Sequence, residues 1–162
     1  CHRIKYLLIM TREIKFRGKS ICGDEWCYGT YIFTDDNRND PFRTRPFKES
    51  HKIVFWCSGD WNMGGWVDEE VDPDTVGQFT GIKDKNGKEI YEGDIVKAPY
   101  LDPIFGGVVN NMFVNIVVGY NKGSFVLEYD GNLRVYISDL YDNIEVIGNI
   151  YDNPELLKGG EE

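Results

Sequence analysis

The sequence predicts an all-β protein, mainly strand with short helical turns, and three observations carry that reading. Short runs rich in Val, Ile, Tyr, Phe and Trp recur along the chain, each bounded by Gly, Asn, Asp or Pro. No stretch sustains the 3.6-residue apolar period of a long amphipathic helix. Aromatic residues at 14% together with 18 glycines favour strands and turns over helices. The number and spacing of the runs fit a small barrel or sandwich.

Taken in order, Glu13 to Arg17 alternates polar and apolar side chains, as a half-buried strand does, and Gly18-Lys19-Ser20 reads as its turn. Trp26 to Phe33 is a second strand, with Gly29 as a candidate bulge. His51 to Cys57 is a third, followed by a glycine-punctuated loop from Ser58 to Trp66. Asp72-Pro73 reads as a helix cap with proline at the first helical position. Asn86-Gly87 predicts a two-residue hairpin turn between Gly81–Lys83 and Lys88–Tyr91, because both turn positions favour positive φ. Ile95 opens a strand that Pro99 to Pro103 should break, and Val108–Val109 and Met112–Val118 read as two strands joined at Asn110-Asn111. Ser124–Tyr129 and Leu133–Ile137 form a hairpin around Asp130-Gly131, and Ser138 is placed to cap a helical turn. Asn143–Tyr151 is the last strand, and Asn153-Pro154 begins a short capped helix.

A chain of 162 residues is one domain or two very small ones. Met10 reads as the start of the native protein, which makes residues 1–9 an upstream extension. The acidic run Asp68-Glu69-Glu70 marks a seam between an N-terminal β subdomain with aromatic loops (10–70) and a second subdomain (71–162). Cys1, Cys22, Cys27 and Cys57 are spaced like neither a zinc site nor a disulfide framework, so reduced thiols in a cytoplasm are expected. No apolar run approaches the roughly 20 residues that span a membrane, so no membrane partner is expected. The net charge of −9 is uneven, with +3 on residues 1–60 and −12 on residues 61–162. Such an acidic second half repels phosphate backbones but suits head-to-tail self-association or a basic partner.

Two loops carry the candidate binding residues. Residues 35–48 interleave Phe42 and Phe47 with Arg43 and Arg45, the mixture that single-stranded nucleic acid favours. A solvated loop with nearby Asp35, Asp36 and Asp40 is the simpler account. The second loop presents Trp61, Met63 and Trp66, residue types enriched at protein interfaces, against the plainer reading of a loop folded over the core. Asp72, Asp74 and Asp94 could ligate a metal only if they converge, and caps and turns account for them more simply. With His2 and His51 as the only histidines, no catalytic, cofactor or metal constellation is expected.

Three separated segments resemble the YopX family of phage and prophage proteins: REIKFRGK at Arg12–Lys19, VDPDTVGQFTGIKDKNGKEIYEGDIV at Val71–Val96, and EVIGNIYDNPELL at Glu145–Leu157. Trp26-Cys27-Tyr28-Gly29 adds an aromatic-glycine pair where that family places one. The resemblance implies a mostly β protein whose SH3-like barrel begins near Gly93-Asp94-Ile95-Val96. It also implies a phage or prophage gene, a bacterial cytoplasm and a tendency to self-assemble, without naming an activity or site residues. The function expected from these readings is a non-enzymatic, self-associating module that binds a host or phage protein. A nucleic-acid binder or acidic nucleic-acid mimic is the alternative, and a metal-dependent hydrolase the weakest reading.

Overall fold

The computed structural model describes residues 13–35, 49–58, 64–102, 107–129 and 133–158. Six strands form the first sheet: β1 (Phe16–Lys19), β2 (Trp26–Asp35), β3 (Glu49–Cys57), β4 (Gly65–Glu70), β5 (Gly77–Lys83) and β6 (Glu89–Tyr91), in the order β4-β3-β2-β1-β5-β6. Five form the second: β7 (Asp94–Leu101), β8 (Val108–Asn121), β9 (Ser124–Tyr129), β10 (Leu133–Tyr136) and β11 (Glu145–Asn149), in the order β10-β9-β8-β7-β11. The fold is all-β, and among the described residues the helical segments are short 3-10 turns. β7 to β10 make an antiparallel meander, short 3-10 turns follow, and β11 returns to pair with β7. That connectivity and the curl of the sheet into a half-barrel suit an SH3-like barrel.

The main core lies in this second sheet. Val96, Ala98, Ile116, Val118, Leu127, Ile144 and Val146 pack together with Ile90 of β6 and Ile137 and Leu140 of the 3-10 turns. On β2, β3 and β4, by contrast, Ser50 and Ile53 are the only buried residues among the described side chains.

Several local expectations change on physical grounds. Gly18 and Lys19 continue β1 rather than turning it, paired with Cys27 and Trp26. Gly29 sits in regular register opposite Phe16. Glycine is required there because a Cβ would fall 2.2 Å from the Val54 carbonyl oxygen. Gly65 and Trp66 open β4 instead of belonging to a loop, and Asp68-Glu69-Glu70 complete it. β7 passes through Pro99, with an irregularity before Leu101; Pro99 offers its carbonyl to the Tyr129 hydroxyl at 3.0 Å. The two strands expected around Asn110-Asn111 are one long strand, β8. Ser138 lies within the 3-10 turn Ile137–Asp139 rather than capping it. Asn153 gives the Pro154–Leu157 turn no side-chain cap; its Oδ1 accepts instead from Asn149 N–H at 3.4 Å. The Asp130-Gly131 turn lies outside the described residues.

The Asn86-Gly87 hairpin is present with a different turn. Asp84 N–H donates to the Lys88 carbonyl at 2.8 Å, Gly87 N–H donates to the Asp84 carbonyl at 2.9 Å, and Gly87 alone of the loop has positive φ, at 83°. This is a three-residue loop closed by a left-handed glycine rather than a two-residue turn. The Asp84 carboxylate selects it: Oδ1 accepts from the N–H groups of Asn86 and Lys88 at 2.8 and 2.9 Å.

The β4 edge of the first sheet also meets the chain at the end of β1. Ser20 bridges to Val71, Ile21 N–H donates to the Glu70 carbonyl at 3.1 Å, and Asp72 N–H donates to the Lys19 carbonyl at 2.9 Å. Residues 19–21 therefore seal the outer edge of the chain at 70–72, just where β4 ends.

Candidate functional site

Two regions concentrate the polar and aromatic residues. The first follows from the two-residue period of β1, which places Lys15, Arg17 and Lys19 on one side of the strand and its lead-in. Each cation meets a carboxylate from a different part of the chain. Lys15 Nζ lies 2.6 Å from Glu89 Oε2 of β6. Arg17 Nη1 lies 2.5 Å from Asp94 Oδ1 of β7, with both side chains buried. Lys19 Nζ donates to Asp152 Oδ1 at 3.0 Å.

Arg17 is the centre of this ladder. Its guanidinium lies 4.7 Å from the Trp26 ring centroid and 5.2 Å from that of Tyr91, and Nη2 donates to the Glu92 carbonyl at 3.2 Å. Asp94 Oδ2 accepts from Tyr91 N–H at 2.7 Å. Burial raises the Asp94 carboxyl above the usual range, while Arg17 and the Tyr91 N–H pull it back down. For Glu89, burial is outweighed by hydrogen bonds from Lys15 and the Tyr91 hydroxyl, and its carboxyl sits low. Asp152 also sits low, held by Asn149, Trp26 and Lys19. Trp26 Nε1–H donates to Asp152 Oδ2 at 2.7 Å, and the Tyr151 hydroxyl donates to the Asp74 carbonyl at 2.6 Å. Asp84 performs the matching task on the other side, where its Oδ2 accepts from Val146 N–H of β11 at 3.0 Å.

The three segments that resemble the family are thus the three sides of one junction. REIKFRGK supplies the cations, the central stretch supplies Glu89 and Asp94, and the last segment supplies Asp152. Each cation of the ladder is paired with a carboxylate, and the Arg17–Asp94 pair ties β1 of the first sheet to β7 of the second. Asp72 accepts from Asp74 N–H as a cap, and Asp94 is committed to Arg17. Among the described residues no group of three His, Cys, Asp or Glu side chains could hold a metal ion. Among them too, no helix is long and apolar enough to cross a membrane.

The second region is the hairpin of β3 and β4. Trp56 and Trp66 are directly opposite in the register, with ring centroids 5.5 Å apart and planes at 82°. They are 56% and 72% exposed. Register puts Ile32, Val54, Lys52 and Asp68 on the same face, and Lys52 Nζ donates to Asp68 Oδ2 at 2.7 Å. Of the residues marked for binding from sequence, Trp66 is therefore on an open strand face. Phe42, Arg43, Arg45, Phe47, Trp61 and Met63 lie outside the described residues. Trp56 was not marked; it is the next-to-last residue of the run His51–Cys57 and stands opposite Trp66 on the strand that the glycines disguised.

The family model "YopX protein" matches residues 15–158. The SPbeta prophage-derived uncharacterized protein YopX of Bacillus subtilis (strain 168) is 28% identical over 116 residues, covering 68% of this chain and 85% of the relative. The crystal structure of protein EF1440 from Enterococcus faecalis superposes with a TM-score of 0.50 at 25% identity, covering 90% of this chain and 98% of that one. With its signature segments assembled into one charge-matched junction and the family model spanning nearly all the described fold, the chain belongs to the YopX family of prophage proteins.

Proposed function

We propose that this YopX-family protein is a non-enzymatic interaction module that self-associates and binds a host or phage protein in the bacterial cytoplasm. One observation supports it above the others: the Trp56–Trp66 pair, more than half exposed on both partners, on a sheet face that also carries Ile32 and Val54. Exposed apolar area grouped in this way marks interaction surfaces, and tryptophan dominates the energetics of such contacts. The charge-matched junction, by contrast, ties β1 of the same sheet to β7.

The test is affinity capture from a bacterial lysate, followed by titration of the captured protein against wild type and the Trp56→Ala/Trp66→Ala variant. Loss of a tryptophan anchor should raise Kd roughly 30-fold or more. Equal binding by a folded double variant would remove this face from the reading. Light scattering of the full chain at low and high salt reads self-association separately, since an electrostatic contact weakens with salt and an apolar one does not.

A further inference from the structure

The outer edge of β4 carries a more specific prediction than the tryptophan face, and it builds on the self-association reading. In an antiparallel ladder each residue points both backbone groups to one side, and successive residues alternate. Val71 N–H donates to the His51 carbonyl at 2.8 Å, so odd positions on β4 face β3. The Glu70 carbonyl and the Asp72 N–H face the other way, toward Ile21 and Lys19. The β3–β4 register shows no shift, so Trp66 and Asp68 also point outward. Among the described residues no other backbone group pairs with these two residues on that side, although the Asp68 N–H turns toward its own carboxylate. The edge is sealed by residues 19–21 at one end and β4 begins at Gly65 at the other, which among the described residues leaves a slot of about five residues of open edge.

We infer that a second copy of this chain fills that slot by antiparallel β4–β4 pairing about a two-fold axis at Val67. In that register Trp66 pairs with Asp68 of the second copy and Asp68 with its Trp66, which satisfies all four outward groups on each edge. Gly65 falls opposite Glu69, so the pairing ends before the seal at Glu70. A two-fold register centred on Asp68 would set Asp68 against Asp68, and like charges directly opposite are unfavourable; one centred on Trp66 would carry Asp68 opposite Gly64, beyond the end of β4. The acidic residues and the strand end together select one register. Self-pairing places the exposed apolar side chain of Val67 against its own copy on one face and extends the Trp56–Trp66 face on the other. A closed two-fold contact of this kind is self-complementary and does not propagate into a filament.

Two variants of the full chain test it. Proline at an outward position removes the donor to the second copy but no bond to β3. Asp68→Pro should therefore keep the fold and raise the dimer dissociation constant roughly 30-fold, as expected for two lost hydrogen bonds. In a background with Cys1, Cys22, Cys27 and Cys57 changed to serine, Val67→Cys should form an intermolecular disulfide on mild oxidation. A non-hydrogen-bonded antiparallel pair places its Cα atoms about 4.5 Å apart, within disulfide reach. Glu69→Cys, two residues along on the same face, should stay reduced. A dimer that Asp68→Pro leaves intact, with no Val67→Cys cross-link, overturns this interface while leaving self-association standing. A wild-type monomer at every concentration overturns both. Cross-linking equal at Val67→Cys and Glu69→Cys rejects the register.

Discussion

The β1 junction and the β3–β4 hairpin are built from similar materials, aromatic rings and opposite charges, and spend them differently. In the junction, Arg17 lies between Trp26 and Tyr91 and its charge is matched by a buried carboxylate. On the hairpin, Trp56 and Trp66 pack edge to face while more than half exposed, and the nearby Lys52–Asp68 pair is solvated. A buried charge is held in place by the penalty for leaving its partner uncompensated, whereas an exposed pair is worth little. The difference teaches that the segments resembling the family signature tie the scaffold together, whereas the hairpin leaves its aromatic rings in solvent.

The largest expected effect comes from breaking the junction. Arg17→Met strands the Asp94 carboxylate in the interior and should cost about 3–5 kcal/mol. Adding Asp94→Leu should restore part of that loss, because no unpaired charge then remains. Urea denaturation followed by tryptophan fluorescence measures both; equal losses in single and double variants would mean that packing, not charge, is at stake.

Asp84 sharpens the comparison at intermediate size. Burial opposes its ionisation, but the N–H groups of Val146, Lys88 and Asn86 outweigh it and hold its carboxyl below the usual range. Asp84→Asn sets an amide against those donors and should cost about 1–3 kcal/mol at neutral pH. A folded pKa below the unfolded one gives stability that is full above the unfolded value, about 3.9, and fades as pH falls through the folded value. The gap between wild type and variant should therefore narrow below about pH 4 in denaturation curves. A constant gap would assign the effect to shape alone.

The smallest stability effect belongs to the hairpin. Trp56→Ala/Trp66→Ala should cost under about 1 kcal/mol, the scale of an exposed cross-strand pair. A loss as large as that of Arg17→Met would show that these rings are part of the scaffold after all.

Much of this architecture was legible in the chain. Alternation and turn residues marked nearly every strand, and the Asp72 cap and the Asn86-Gly87 hairpin stood out locally. What escaped was set by contacts distant in sequence. Asp94 looked like a turn residue because its partner, Arg17, is 77 positions away. The turn at Asn86-Gly87 took another form because the Asp84 side chain captured two of its amides. Trp66 was read as loop because Gly64-Gly65 resembles punctuation, when Gly65 already pairs with Cys57 as the first residue of β4. Pro99 failed to break β7 because the strand tolerates an irregularity beside it.

The bonds from Lys19 and Trp26 to Asp152 have a consequence for how the protein is made. The first strand cannot complete its contacts until Asp152 has left the ribosome. A nascent polypeptide paused before residue 145 would hold β1 to β10 without β11 or its clasp, leaving the Trp26 ring and the edge of β7 uncovered. Long-range closure of this sort slows folding and prolongs the exposure of sticky surfaces. The last dozen described residues therefore act as a latch that closes after synthesis, and the yield of native protein should depend on how soon they arrive.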